Sequence, residues 1–435
     1  MNTMLQKIDT YFGIKRLGSN WKVEMLAGLS IFLSMSYIFV VNPAILAEAG
    51  IPKSAVFFAT IVISSLATIV MGLYAKKPFA LAPGLEMDSY VAFVVVAGMG
   101  FIWQDAIGLV FWSGILMMIV NFLKIRKNII ESIPNTLKSG LAATVGVFLM
   151  LIALKVSGIL SYEGIQLTGI GDLASAEALV FLIGFLSVVI LKKLKVKGAI
   201  IISIVLASII GNLTGLASAI EPVTFSKEMF SAVFQLNFDV ILNPKGLSVL
   251  LILFMLDFYG SIAKFIGLTK NTSIVDKNGN MPQMKEALSV DGAATAIGSI
   301  LGTSNATTYV ESAVGIGEGG RTGLTALTTG ILMLLFLFLA PLVNLVPVVA
   351  TTGALLYVGI TLFPKKSEFG DYKWFDILSI VAMVLVTVVT FGLDKAMFAG
   401  FGLYIVFQLF TGKWNEINPY LLGSAVLLLI TMLIA

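Results

Sequence analysis

Residues 78–90 read PFALAPGLEMDSY, and residues 302–320 read GTSNATTYVESAVGIGEGG. Each stretch opens on small, proline- or β-prone residues, turns into a short helical pattern, and lies inside an otherwise apolar run. Each therefore reads as an extended piece entering a half-helix. Unpaired backbone in hydrocarbon costs several kcal/mol per group, so such breaks persist only where protein or a water-filled cavity covers them. The surrounding sequence supplies the hydrocarbon setting. Of 435 residues, 58% are hydrophobic and 12% charged, against about one quarter charged in soluble domains. Mean hydropathy is +0.99. Runs of the roughly 20 apolar residues that cross a bilayer recur along the chain, as in AVFFATIVISSLATIVMGLY and LTALTTGILMLLFLFLAPLV. These features describe an all-α polytopic membrane protein with short extended stretches in its third and tenth spans.

Hydropathy predicts about fourteen spans, near 24–42, 53–74, 85–98, 104–123, 136–157, 177–192, 197–213, 247–268, 285–301, 309–318, 321–341, 347–363, 373–391 and 394–412. Residues 418–434 form one more apolar stretch, which fits either a span or an interfacial helix. The first 23 residues are polar and amphipathic, without the short apolar core and small-residue cleavage site of a removable signal, so the first span is expected to be the anchor as well. Short cytoplasmic loops collect Lys and Arg. With the N-terminus cytoplasmic, all but five of the 28 basic residues (Lys53, Lys155, Lys227, Lys245 and Lys395) fall on the inner side. The sequence pI of about 9.0 then reflects topology and calls for no nucleic-acid partner. Spans one and three are expected to begin near 24 and 79, and spans eight and ten near 247 and 302, an offset of about 223 in both cases. Interrupted segments at matching places in two halves point to a transporter built from inverted repeats. Seven spans per repeat, an odd number, turn the second repeat over.

The chain has no cysteine and no histidine, which excludes disulfides, thiolate and imidazole metal ligands, and imidazole proton relays. No metal or organic cofactor is expected beyond a coupling cation. Proton chemistry falls to carboxylates, lysine or tyrosine. Four carboxylates lie in the apolar framework near the breaks: Glu86, Asp88, Asp257 and Glu311. A charge at the centre of a bilayer helix costs about 2.5–3.5 kcal/mol even on the lenient insertion scale, so each needs a partner or a cavity. Glu86 follows APG, where an acid in the first turn of a half-helix is also stabilised by the dipole. Lys264 follows Asp257 by two helical turns and is expected to snorkel to the inner surface, the alternative being an ion pair inside the protein. Ser34, Ser36 and Tyr37 are placed to line a site from the first span, although hydroxyls also bond to their own helix. GEGGRTGLT (317–325) lacks the lysine and spacing of a phosphate loop and reads as a tight inner-side turn. Asp291 begins a span rich in glycine and alanine and is expected to be structural. A membrane-embedded aspartyl enzyme would need paired acids on two regular helices, a motif this chain lacks. A channel or anion exchanger would favour basic residues at the half-helices, where this chain has acids.

Several longer blocks carry a resemblance. GLSIFLSMSYIFVVNPAIL, ALAPG, FMLDFYGSI, SVDGAATAIGSILGTSNATTYVESAVGIGEGGRTGLTA and VVATTGALLYVGI resemble, in order and spacing, the purine permeases of the AzgA-like branch of the nucleobase:cation symporter-2 family. The resemblance covers nearly the whole chain. It implies a uracil-permease-like architecture of two inverted seven-helix repeats. A core domain would comprise 24–127 and 247–344 and a gate domain 128–246 and 345–412, flanked by a cytoplasmic segment 1–23 and an apolar segment 413–435. It also implies a multi-pass cell-membrane transporter importing adenine, guanine or hypoxanthine by proton symport in an elevator-type cycle, working as a homodimer. Sodium coupling is the alternative. Carried over by motif, Asp257 and Glu311 bind the base. Asp88, Glu86, Ser312, Ser34 and Tyr37 are the further candidates beside the breaks, and burial among acids makes Asp257 the first expected proton carrier, with Asp88 and Glu86 after it. This chain departs from the family at Gly260 and Ser261, where an acid and a threonine are usual. It departs again at Glu86 and Asp88, where the family pattern leads to an asparagine. Asparagine donates and accepts, whereas an ionised carboxylate only accepts, so a donor-rich or cationic solute is the second reading of the cargo.

Overall fold

The computed structural model describes residues 2–123, 134–163, 166–196, 198–216, 227–269, 272–276, 281–338, 346–364, 373–412 and 417–434. Basic loop residues used in the topology count, among them Lys124, Arg126, Lys127, Lys270, Lys365 and Lys366, lie outside the described residues, as do parts of the expected domain boundaries. Helices otherwise occupy the places of the expected spans. The first half runs α1 (Asn2–Phe12), α2 (Trp21–Met35), α3 (Ile38–Ala47), α4 (Lys53–Val70), β1 (Leu81–Ala82), α5 (Leu85–Ser89), α6 (Trp103–Phe122), α7 (Asn135–Val156), β2 (Leu160–Glu163), β3 (Gln166–Ile170), α8 (Ala176–Lys193) and α9 (Ala199–Leu213). The second half runs α10 (Pro244–Thr269), α11 (Met284–Leu301), β4 (Thr307–Thr308), α12 (Ser312–Gly317), α13 (Gly323–Leu335), α14 (Thr352–Thr361), α15 (Trp374–Thr390), α16 (Leu393–Phe410) and α17 (Pro419–Ile434). Among the described residues, five helices are long and apolar enough to cross a membrane, and six shorter apolar helices accompany them.

The all-α expectation is modified by two small antiparallel sheets, β1 with β4 and β2 with β3. β1 and β4 are the expected extended pieces, and each leads into a short helix. The first, α5, continues as a π-helical stretch over Tyr90–Val96, a form that recurs at functional sites. The undecided segment 418–434 is α17, a helix packed on α10 and α16. The Tyr259 and Ser424 hydroxyls share a hydrogen bond of 3.0 Å across that contact.

Two groups of helices pack mainly among themselves. In one, α6 lies on α10 and α11, and α13 lies on α2 and α4; in the other, α7 lies on α14 and α15, and α9 lies on α8. Lipid tails are as apolar as leucine, so helices in a membrane associate through close van der Waals contact, which small residues permit. Gly323 abuts Gly72, where a β-carbon would come within 1.9 Å of the Gly72 carbonyl oxygen. The turn before α13 is tied down by Glu24. Its carboxylate accepts the backbone N–H groups of Arg321 at 3.0 Å and Thr322 at 3.1 Å and the Thr325 hydroxyl at 2.5 Å. GEGGRTGLT is thus the tight turn expected, built around a buried acid of the first span.

The α6–α11 crossing generates a prediction. A β-carbon on Gly114 would meet the Ala296 nitrogen at 2.7 Å and the Gly292 oxygen at 2.8 Å, whereas one on Gly423 meets nothing within 4 Å. Gly114→Val should therefore destabilise the protein by about 1–3 kcal/mol, read as a lowered unfolding temperature in detergent, with Gly423→Ala close to wild type. Equal melting of the two variants would refute the close crossing.

Candidate functional site

The site begins as a problem of backbone hydrogen bonding. β1 and β4 pair at Leu81–Thr308 and Ala82–Thr307, with one further backbone bond from the Tyr309 N–H to the Ala80 carbonyl at 2.9 Å, so other peptides on either side have no ladder to satisfy them within the membrane. Side chains take them one by one. Thr68 Oγ1 accepts the Leu81 N–H at 2.8 Å, and Ser312 Oγ accepts that of Ala80 at 3.0 Å. Asn305 Oδ1 accepts the Gly84 N–H at 3.1 Å, and Thr295 Oγ1 that of Ala306 at 3.3 Å. The Tyr309 phenol donates to the Pro83 carbonyl at 2.5 Å. Pro83 has no N–H to satisfy, which suits proline to this position.

The same side chains position the acids. Asn305 Nδ2 donates to Asp257 Oδ1 at 2.7 Å, and the Thr295 hydroxyl donates to Asp257 Oδ2 at 3.0 Å. Asp88 lies in the first turn of α5 and is fully buried. It accepts a hydrogen bond from Ser304, and the amide of Asn42 on α3 lies 3.1 and 3.0 Å from its two oxygens. Asp291 is also fully buried, on α11, within electrostatic reach of Asp257 and Lys264.

In front of these groups, between the two packed groups of helices, is a cavity of about 380 Å³, within the roughly 300–1,000 Å³ usual for small-molecule sites. One wall is polar and carries Tyr37, Glu86, Lys264 and Glu311; the facing wall is apolar, with Leu141, Val145 and Leu149 from α7, Val358 from α14 and Met397 from α16. Glu86 Oε1 and Lys264 Nζ form an ion pair of 2.8 Å, each side chain 18% exposed. Glu311 Oε1 accepts from the Tyr37 hydroxyl at 2.7 Å, while Oε2 is buried with no hydrogen-bond partner among the described residues. The cavity is thus lined by one acid with an unbonded oxygen, one acid paired with a lysine, and an apolar face.

Of the residues expected to contact substrate, Glu311, Glu86 and Tyr37 line this cavity. Asp257 and Asp88 stand behind its wall, tied to the broken segments. Ser312 holds the backbone of Ala80, and Ser34 is buried on α2 off the cavity. The expectation that Lys264 reaches the membrane surface is corrected: α10 continues to Thr269, so Lys264 lies more than a turn from the helix end and faces Glu86. Asn42, Thr68, Thr295, Ser304 and Asn305 were not singled out from the sequence. Their only signals are an amide just before a proline inside a span, and polar residues clustered in GTSNATTY.

The chain matches the permease family over residues 22–390. It is 34% identical to the adenine permease AdeP of Escherichia coli, over 97% of this chain and 95% of that one. It is 33% identical to the guanine/hypoxanthine permease PbuO of Bacillus subtilis, over 97% of this chain and 100% of that one. The solved transmembrane domain of a cyanobacterial bicarbonate transporter, BicA, shares the fold with a TM-score of 0.63 and 16% identity, over 87% of this chain and 97% of that chain.

The ion pair on the cavity wall generates a second prediction. Lys264→Met leaves Glu86 without its partner and should cost of the order of 3 kcal/mol, whereas Lys264→Met combined with Glu86→Leu should recover most of that loss. Thermal unfolding of the single and double variants measures the coupling. Equal destabilisation in both would show that the two side chains do not compensate each other.

Proposed function

Because the chain belongs to the permease family, as its match over residues 22–390 shows, we propose that it imports a purine nucleobase whose N–H edge is received by Glu311. It is a multi-pass membrane permease and not an enzyme. Purine cargo is supported by its relatives, which are permeases for adenine and for guanine and hypoxanthine. The observation that carries the proposal is Glu311, which lines a cavity whose opposite face is apolar and whose Oε2 is a buried acceptor with no hydrogen-bond partner among the described residues. A flat heterocycle lays its ring against the apolar wall and turns its donors to the carboxylate. Charge-assisted bonds of this kind are the strong ones. The pairing of Glu86 with Lys264 leaves the cavity wall one net negative charge, that of Glu311, fewer than two free acids would present to a cation.

Coupling to protons is the second part of the proposal. Without histidine, a buried carboxylate has to carry the proton, and the contacts distinguish the two expected carriers. Both oxygens of Asp257 already accept from Asn305 and Thr295, an arrangement suited to the ionised form. Asp88 faces an amide that fits either form. With its nitrogen toward Asp88, Asn42 donates to a carboxylate, and its oxygen accepts from Thr60 and Thr303. Rotated by half a turn, the same amide would donate to those two hydroxyls, and its oxygen would accept the proton of a neutral Asp88. Asp88 therefore takes precedence over Asp257 as the group that changes state. The two packed groups of helices, with the cavity between them, support reading them as the core and gate of an elevator-type cycle, and the Lys and Arg distribution supports a cytoplasmic N-terminus.

Two outcomes test these proposals. Guanine presents two adjacent donors, whereas adenine presents a donor beside an acceptor. Glu311→Gln, which offers one donor and one acceptor, should lower guanine uptake into proteoliposomes by about tenfold or more and spare adenine better; equal loss of both, or of neither, removes Glu311 from base reading. Asp88→Asn, held in the neutral state, should keep base exchange and lose accumulation driven by an imposed pH gradient. Wild-type uptake that ignores the pH gradient and follows sodium would overturn the coupling assignment and leave the cargo assignment standing.

A further inference from the structure

A second cavity, of about 490 Å³, lies where the N-terminal segment meets the end of α4. It is remote in character from the transport cavity. Its wall carries three cations, Arg16, Lys76 and Lys77, and one acid, Asp9. The N-terminal segment is held in place there by two hydrogen bonds across the chain. The Tyr11 hydroxyl donates to the Leu73 carbonyl at 2.9 Å, and the Ser273 hydroxyl donates to that of Leu17 at 3.1 Å. Lys76 places its ammonium 4.3 Å from the centre of the Tyr11 ring.

Lys77 is the group that this packing leaves unexplained. It is 5% exposed and lines the cavity, and its ammonium has no hydrogen bond or ion pair among the described residues. Lysine is almost never this buried unless it is paired. Burial first, and the neighbouring Arg16 guanidinium second, pull its ammonium down to about 8, the mark of a cation lacking a counter-charge. The two acids nearby do not supply one. Asp9 Oδ1 is taken by the backbone N–H of Lys15 at 2.9 Å, and the field of Glu286 only partly offsets that of Arg16.

We propose that this cavity is a binding site for a phosphate group at the membrane face that carries the N-terminus, with Lys77 as the buried point charge and Arg16 as the planar fork. Arginine matches two phosphate oxygens at once, and lysine binds phosphate as a compact cation. Three cations against one acid leave the wall net positive, and the site lies where a spanning helix ends. Both a lipid headgroup and a water-soluble phosphate therefore meet the same ligands. The proposal is independent of the transported solute, because none of these residues lines the transport cavity.

The test uses the full-length protein in phosphatidylcholine nanodiscs, with the unfolding temperature as the readout. In one arm inorganic phosphate is titrated against chloride at equal ionic strength; in the other, phosphatidic acid replaces part of the phosphatidylcholine. The wild type should be stabilised in at least one arm, the soluble arm identifying free phosphate as the source and the lipid arm a headgroup. Lys77→Gln and Arg16→Gln should each raise the midpoint by about tenfold or more. Lys15→Gln, with the same charge change outside the cavity wall, should respond as wild type. Arg16 is exposed, so its variant carries the test should Lys77→Gln not fold. No stabilisation of the wild type in either arm, or a Lys15→Gln loss equal to that of Arg16→Gln, would overturn the site.

Discussion

Everything at the centre of this protein follows from the need to satisfy broken backbone inside hydrocarbon. β1 and β4 interrupt two spans and pair through two residues each. Each peptide group left over would cost several kcal/mol if unpaired. Thr68 answers that cost from α4, and Thr295, Asn305, Tyr309 and Ser312 answer it from the second half of the chain, so the first break is held largely by side chains that reach it only in the folded state. Asn305 shows the arrangement most clearly: its oxygen serves the backbone of Gly84 and its nitrogen serves Asp257. One amide thereby links the first half of the chain to an acid of the second.

The division of labour among the acids is a result of this frame. Asp257 and Asp88 are held by neutral donors behind the wall, Glu86 is matched by Lys264, and Glu311 has one oxygen on Tyr37 and one buried without a hydrogen-bond partner among the described residues. Four carboxylates near one another would repel if all faced one space. Separation by partner lets each carry a different charge state without collapsing the apolar surroundings.

Most of the span pattern and both breaks were legible in the sequence, because hydropathy, proline and glycine act locally and leave a pattern that can be read in a window of residues. The side-chain frame was not. Asn42, Thr68 and Thr295 sit in ordinary helical stretches, and nothing periodic separates a threonine that bonds to its own helix from one that serves a distant strand. Lys264 was misplaced for a related reason. Its distance from the end of its helix depends on where α10 stops, and helix ends are the part of a pattern that propensity defines least. Glu311, Glu86 and Tyr37 were found because a charge or phenol beside a break in an apolar run is costly wherever the chain ends up.

The cavity's two walls have different dependencies. The polar wall is held by side-chain pairs, Tyr37 with Glu311 and Lys264 with Glu86, so altering one member strands the other. The apolar wall, formed by residues such as Leu141, Val145, Val358 and Met397, takes no part in those bonds. Substitutions there reshape the space around a ring at the modest cost of a hydrophobic exchange, about 1.5 kcal/mol or less where volume is conserved. Change is therefore cheap on one side of the cavity and expensive on the other, so its shape can be retuned while the crossing point of the two broken segments stays unchanged.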